Sequence, residues 1–385
     1  MRRLALGLAL CLALACDHSD TFVGVVPTVG PATTANDLTL TFNTEQDYWP
    51  AWTQDGAGIL YSFVLPGSTA HHRCLGLLPA AGGTRIWELC NNRASNNDSA
   101  TSYAAYALRS DGMLLYSEVV APLFAGLSPP RGQLTPSRHT LWLADTATPY
   151  QRTALLQLPV NLNGTNVNWL SDLAWTGPTT FVALGQEFGV TAPSTPPCNV
   201  SQDSNFVMTS VVVRGTISGN SATLQPVDGT LGATSFSLAE NSATVAFTVK
   251  RDRRLYKVPF TGGSPVVVAT ISPFASSLQL GVSCKHSTCL VASGVAASAF
   301  DGGGTPCPGV ANGQQELRSV SLAGPVDQVS TVAFTNGLGF NIIVTPQISP
   351  VTGDVVVGVG GNLGHLQTIR APSNANLHLL KGLVP

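Results

Sequence analysis

One short unit recurs six times between Asp47 and Leu380: an apolar run, a tight polar turn, and a second apolar run. Its clearest copy is Asp47 to Phe63, where Ala51-Trp52 closes the first run, Thr53 to Gly56 turns, and Ile59 opens the second. Gly56 can take a positive φ at little cost, so the unit reads as strand, turn, strand. A unit of this kind leaves both its faces apolar and cannot fold alone, so its repetition demands an architecture in which copies cover one another.

The later copies follow the same plan. The second runs Tyr106 to Ser117, with strands at Thr140 to Ala144 and Ala154 to Leu158. The third opens at Asp172-Leu173-Ala174-Trp175, continues through Phe181 to Leu184, and resumes at Phe206 to Arg214 and Ala222 to Val227. The fourth has Ser235 to Ser237, Thr244 to Phe247, Leu255 to Pro259 and Pro265 to Ala269. The fifth is degenerate, with Gly281 to Cys284, Cys289 to Ser293, Glu316 to Leu322 and Gln328 to Val332. In the sixth, Pro346 to Pro350, Gly353 to Val357, His365 to Ile369 and Leu377 to Leu380 supply four strands. With Trp52, Leu108, Trp175, Phe236, Val282 and Ile348 as anchors, the spacing is 46 to 67 residues. That exceeds the roughly 40–45 residues of a WD40 blade. The excess lies in Gly/Pro/Ser-rich insertions at Phe124 to Ser137, Thr191 to Ser204 and Asp301 to Gln314.

The first unit resembles the repeat of TolB-type, WD40-like β-propellers, whose signature runs Pro-x-Trp-Ser-Pro-Asp-Gly before an apolar strand. Pro50, Trp52, Asp55 and Gly56 match it, and Thr53-Gln54 stands in place of Ser-Pro. The resemblance implies an all-β chain, a six-bladed β-propeller of four-stranded antiparallel blades. The segment Leu38 to Phe42 is expected to join the last blade and close the ring. A pair of β-sandwich domains is the competing architecture. The anchors Trp52, Trp175 and Phe236 are read as blade-to-blade core, with a sugar-stacking surface as the alternative.

At the N-terminus, Arg2-Arg3 precede the apolar run Leu4 to Leu14, and Ala13-Leu14-Ala15-Cys16 looks like a bacterial lipobox. Lipoboxes usually carry Leu where this chain has Ala13. Residues 1–15 are therefore expected to be a lipoprotein signal peptide, with Cys16 the lipidated residue. Residues 16–37 read as a Thr/Val/Pro/Ala-rich tether and 38–385 as a single propeller domain. An ordinary signal peptide cleaved after Ala15 is the alternative. The lipidated chain is expected in a bacterial cell envelope, periplasmic or at the surface, whereas the ordinary signal peptide implies plain secretion. No later stretch reaches 18 continuous apolar residues, so the membrane would be met through the N-terminal lipid alone.

Beyond Cys11 and Cys16, six cysteines remain, and an exported chain with an even number is expected to form disulfides. Cys284 and Cys289 flank a short hairpin loop, Cys74 and Cys90 lie in one repeat, and Cys198 and Cys307 pair by elimination. A metal site on Cys284-x4-Cys289 with His286 lacks a second ligand pair. His71-His72 has no further ligand at a helpful spacing.

Charged residues make up 10% of the chain, against roughly 25% in ordinary globular proteins. Without Arg2 and Arg3, 17 basic and 21 acidic residues give a net charge of −4, and no basic run extends beyond Lys250 to Arg254. Nucleic acid is thus not an expected partner. There is no Gly-x-Ser-x-Gly elbow and no His-Glu-x-x-His. Gly358 to Gly364 has Leu363 where a dinucleotide loop needs its third Gly, so it reads as a hairpin turn. No catalytic residue, cofactor or metal is assigned. The expected role is a non-enzymatic adaptor that binds an envelope protein or glycan. The alternative is a propeller-based polysaccharide lyase or hydrolase with its site at the channel mouth.

Overall fold

The computed structural model describes residues 24–25, 37–41, 47–64, 73–90, 99–122, 138–188, 207–249, 252, 254–271, 277–295, 315–334, 342–360 and 376–384. They form no helix, only strands and turns. At the N-terminal side lie β1 (Gly24–Val25) and β2 (Asp37–Thr39). Blade 1 is β3 (Asp47–Trp52), β4 (Gly58–Val64), β5 (Arg73–Pro79) and β6 (Trp87–Cys90). Blade 2 is β7 (Ser99–Leu108), β8 (Met113–Pro122), β9 (Arg138–Asp145) and β10 (Arg152–Leu158). A separate hairpin, β11 (Val160–Leu162) and β12 (Thr165–Val167), follows. Blade 3 is β13 (Trp169–Trp175), β14 (Thr180–Phe188), β15 (Val207–Ser218) and β16 (Ser221–Pro226). Blade 4 is β17 (Ala233–Ala239), β18 (Thr244–Val249), β19 (Arg254–Pro259) and β20 (Val266–Thr270). Blade 5 is β21 (Ser277–Lys285), β22 (Thr288–Val295), β23 (Gln315–Ser321) and β24 (Val329–Phe334). The last blade holds β25 (Ile342–Ile348), β26 (Val355–Gly360) and β27 (Asn376–Leu380).

Each blade is an antiparallel meander, so the chain is a six-bladed β-propeller, as its repeats imply. The first strands of successive blades lie beside one another and ring the axis, except that β17 leans on β14 and β15 of blade 3. Apolar side chains of neighbouring blades merge into shared cores. One joins Leu115 and Leu141 of blade 2 to Leu170, Phe181 and Val213 of blade 3. Another joins Leu60 and Leu75 of blade 1 to Tyr103, Tyr106 and Tyr116 of blade 2.

The ring is closed by β2, which pairs antiparallel with β27 and so supplies the fourth strand of blade 6. Beyond the ladder, the Leu40 amide donates to the Leu377 carbonyl (2.7 Å) and the Leu377 amide to Thr41 Oγ1 (2.9 Å). Leu40 and Thr41 are fully buried. One expectation is corrected here. Leu377 to Leu380 is the third strand of its blade rather than the fourth, because the N-terminal strand already occupies the outer place. The candidate strand His365 to Ile369 falls outside the described residues. In addition, Gly24–Val25 pair with Leu38 and Thr39, so part of the segment read as tether forms a fifth strand on blade 6.

Ladder register also moves three anchors. Trp52, Leu108 and Trp175 each oppose the second residue of the following strand, and in blades 4, 5 and 6 that place belongs to Leu238, Cys284 and Gln347. Leu238 and Cys284 lie two residues beyond Phe236 and Val282, on the same face of the strand, whereas Gln347 lies one residue before Ile348. Strand β26 runs through Gly360, so Gly358 to Gly360 is strand rather than hairpin turn.

Two of the expected disulfides are formed, Cys74–Cys90 (S–S 2.08 Å) between β5 and β6 and Cys284–Cys289 (2.00 Å) between β21 and β22. In each, the two cysteines sit directly opposite across the ladder. Cys16, Cys198, Cys307, the 1–15 segment and His71-His72 lie outside the described residues. The Cys74–Cys90 bridge closes a span of 16 residues and Cys284–Cys289 one of only 5. Loop-closure entropy then predicts a loss of about 3 kcal/mol for Cys74→Ala with Cys90→Ala. The same logic gives about 2 kcal/mol for Cys284→Ala with Cys289→Ala. Urea unfolding of the two double variants checks the order, and a larger loss from the shorter loop would contradict it.

Candidate functional site

Consecutive antiparallel strands send their connections alternately to opposite ends. Links from first to second strand, and from third to fourth, are two to seven residues long. Links from second to third strand run from four to nineteen residues and leave the opposite end. The three Gly/Pro/Ser-rich insertions all belong to this second set, so the strand ends that carry them open on one face.

The short-turn end is stitched shut. In the first turn, Thr53 Oγ1 and the Ala57 amide both donate to Asp55 Oδ1 (2.6 and 3.0 Å), which lowers the Asp55 pKa. Neighbouring turns bond to one another: the Gln54 amide reaches the Leu108 carbonyl, Glu240 N–H the His286 carbonyl, and Lys285 Nζ the Val351 carbonyl. Gly56 has φ +68°, and a Cβ there would lie 3.0 Å from Val351 of the last blade. The anchor indoles act across blades too. Trp52 Nε1 donates to the Gln347 carbonyl (2.9 Å) and Trp175 Nε1 to the Ala107 carbonyl (3.1 Å). Trp52 and Trp175 are partly buried and Phe236 is buried, so all three serve the core reading rather than an open sugar platform.

At the insertion end, polar groups gather between blades 2 and 3. Strand β13 reads Trp-Leu-Ser-Asp-Leu-Ala-Trp, and five of its seven side chains keep partial solvent contact. Its pairing with β14 slips between Ser171 and Ala174, a bulge that puts Asp172 at φ +48°. Positive φ is uncommon outside Gly, and Asp and Asn tolerate it best. Trp49 occupies the corresponding bulge of blade 1, three residues before its anchor as Asp172 is before Trp175, at φ +45°.

Asp172 touches solvent yet sits deep among protein atoms, and that desolvation raises its pKa to about 6. Among the described residues its carboxylate has no hydrogen-bonding partner. Toward the start of the same strand, Trp169 opposes Gln186 across the β13–β14 ladder, and Ser171, two residues on, shares their face. Ser171 Oγ donates to Gln186 Oε1 (3.2 Å), leaving the Gln186 amide hydrogens without a partner among the described residues.

Behind this group lies a buried pair from blade 2. His139 Nε2 and Ser117 Oγ are 2.6 Å apart, Ser117 also reaches the Leu170 carbonyl (3.3 Å), and the imidazole meets the Trp169 ring edge-on at 5.2 Å. Both side chains are fully enclosed, and His139 Nδ1 has no partner among the described residues. Burial lowers the His139 pKa to about 3, so the ring is neutral. On the other face of blade 2, the buried Glu118 carboxylate takes Arg152 (2.6 Å), which also donates to Tyr116 (3.1 Å) and lies 4.0 Å above the Trp142 ring. This ion pair is structural: buried, satisfied and away from the channel. Asp252, in the turn read as exposed, pairs with Arg254 (2.7 Å).

No three His, Cys, Asp or Glu side chains converge among the described residues. None of the residues singled out in the sequence for lipidation or disulfide formation enters the β13 group. Asp172 entered only as the start of the third repeat. The available signal was Ser171-Asp172 interrupting an innermost strand that is otherwise Trp, Leu, Leu, Ala and Trp. Hairpin β11–β12 was also missed, although Asn163-Gly164, both at positive φ, is a standard two-residue turn signal.

No protein-family model matches the sequence, and no curated protein matches it. Among solved structures it is similar to a gluconolactonase from Xanthomonas campestris, with a TM-score of 0.51 and 12% identity over 96% of this chain and 99% of that one. A calcium-binding protein, regucalcin, from Agrobacterium tumefaciens is similar with a TM-score of 0.50 and 14% identity, over 93% and 96%. At such identities the likeness is one of fold.

The His139 pKa carries a sign. With a folded value near 3 and an unfolded value near 6.5, the unfolded chain binds more protons between those limits. Stability therefore falls as pH drops through that window. Asp172, raised in the fold, opposes it between about 4 and 6. The His139→Gln variant, whose amide can still meet Ser117, should lose a few kcal/mol less than the parent between pH 7 and pH 4.5. Urea unfolding at the two pH values measures this, and identical pH slopes would contradict a buried neutral imidazole.

Proposed function

We propose that this chain is a lipid-anchored propeller of a bacterial cell envelope. Cys16 carries the anchor, and the face bearing the long connections binds an envelope protein or glycan. The supporting observation is the segregation of lengths, two to seven residues at one end against up to nineteen at the other. Loops carried on a rigid scaffold are where recognition concentrates, whereas short hydrogen-bonded turns leave little side chain to offer. The TolB-like motif around Trp52 and the Ala13 to Cys16 lipobox support the compartment and the anchoring. The even cysteine count, and two bridges formed as expected, suit an oxidising location.

A second reading, a hydrolase or lyase working at the channel mouth, is favoured by Asp172. A carboxyl held near pH 6 is suited to general acid–base work, which improves as the pKa nears the working pH. On its own it lacks the second carboxylate of the usual glycosidase pair.

Mild crosslinking in native membranes, with tagged protein beside a Cys16→Ser version, tests the first reading. The expected outcome is a reproducible envelope partner, recovered with the parent and depleted several-fold when the anchor is removed. Recovery of no envelope component by the parent would overturn it.

A further inference from the structure

We propose that the short-turn end of the propeller rests on a membrane surface, where a ring of apolar tips enters the interface of a neutral phospholipid layer. This rests on the lipid-anchored reading above and gives the anchored propeller an orientation, with its turns toward the lipid and its long connections away from it. A protein contact is thereby added to the lipid contact expected from the sequence.

The turns make one continuous face. Both short turns of blades 1 to 5, and the first turn of blade 6, lie among the described residues. Within each of blades 1 to 5 a backbone hydrogen bond joins the two turns, as from the Ala80 amide to the Ala57 carbonyl (2.9 Å). In blade 6 the segment after β27 takes the second place, with the Val384 amide donating to the Gly353 carbonyl (3.2 Å). First turns of neighbouring blades also meet. Arg109 donates to the Pro178 carbonyl, the Ser110 amide to Gln54 Oε1, the Glu240 amide to the His286 carbonyl and Lys285 to the Val351 carbonyl. A face stitched in this way is rigid and has already used many of its polar groups. Asp55, Asp145 and Asp354 accept from the amides of Ala57, Ala147 and Gly382, and Asp111 pairs with Arg109.

What this face presents is apolar. Among the described residues six large apolar side chains are exposed, and five of them belong to it. Ile86, Tyr150, Val326 and Val351 lie in the turns and Val266 directly after one, at the first position of β20, each 55% to 67% exposed. The sixth, Leu231, is on the link between blades 3 and 4. The five are distributed one to a blade, on blades 1, 2, 4, 5 and 6. A protein partner covers a contiguous patch with an apolar centre and a polar rim. Single tips carried on separate blades provide no such centre. A lipid interface accepts them one at a time, because each gains by its own burial, and Tyr is at home among headgroups. Carboxylates outnumber cations in these turns, so the face calls for neutral rather than anionic lipid. The chain also enters the fold at this end: Asp37, the first residue of β2, pairs with Leu380, the last of β27, and Val25 pairs with Leu38. Cys16 lies eight residues before Gly24, a link that spans at most about 28 Å, so anchor and face can meet one membrane.

The direct experiment takes the full chain with its lipid, bound to phosphatidylcholine vesicles, and adds one tryptophan at a time. Ile86→Trp and Val326→Trp place it on the turn face, and Arg138→Trp places it at the exposed start of β9, on the opposite end. Substitutions at such exposed positions leave the fold intact. The fluorescence that each variant adds to the parent is compared between plain vesicles and vesicles brominated near the headgroups. The expected result is quenching of about twofold or more for Ile86→Trp and Val326→Trp, with little change for Arg138→Trp. Tryptophan favours interfaces wherever it is placed, and the Arg138→Trp control carries the same bias. Tyr150→Asp together with Val351→Asp should relieve the quenching. Equal responses from the three tryptophan variants, or quenching of Arg138→Trp alone, in a chain that floats with the vesicles would overturn the orientation and leave the anchor standing. A full chain that does not float with them would overturn both.

Discussion

Everything in this molecule depends on the pairing of β2 with β27. A blade here is a four-stranded sheet whose two faces are both apolar, as the fully buried Val245, Ala246 and Phe247 of β18 illustrate. Such a sheet is stable only between two others. Five boundaries arise from chain continuity, but the sixth requires the two ends of the sequence to meet. They do so in one sheet, where Leu40 joins Val356, Leu377 and Leu379 in a core shared with Ile59 and Tyr61 of blade 1. The Trp52 indole, donating to Gln347, clamps the same boundary near the axis.

With few charges to spend, the chain packs six arginines against rings among the described residues. Arg73 lies over Trp49, Arg85 over Phe63, Arg109 over Trp175 and Arg214 over Phe260, at 3.7 to 5.8 Å. In each, the guanidinium lies over an aromatic face. Boundary hydrogen bonds add register. Ser235, Ser237 and Ser283 each receive a backbone amide from the next blade, from Val282, Cys284 and Ile348 at 2.9 to 3.0 Å. Regularity lapses in β13, where a bulged aspartate has no hydrogen-bonding partner among the described residues. Departures from local consistency on an otherwise consistent scaffold are where function tends to reside.

Much of the fold was legible in the chain because its signals are local. The turn after Trp52, the alternation in Leu255 to Pro259 and the Cys284–Cys289 hairpin each need only a few neighbouring residues to be read. What escaped depended on distant partners. The identity of the outer strand of blade 6 is decided by a segment more than three hundred residues away, so Leu377 to Leu380 took the wrong place in the order. In the fourth repeat nothing local distinguishes Phe236 from Leu238, because both face the same side of one strand. The polar group on β13 was hidden for a related reason. Whether Ser171 and Asp172 face a packed neighbour or the channel is settled by how blade 4 leans, and no sequence period carries that.

The most direct test of ring closure is a pair of truncations compared by calorimetric unfolding, one lacking residues 1–36 and one lacking residues 1–41. If β2 closes the ring, the first retains a single cooperative transition near that of the longer chain. The second, deprived of β2, Leu40 and Thr41, should lose that transition or unfold many degrees lower. Equal transitions in the two chains would mean that blade 6 is complete without its N-terminal strand, and the closure described here would be wrong.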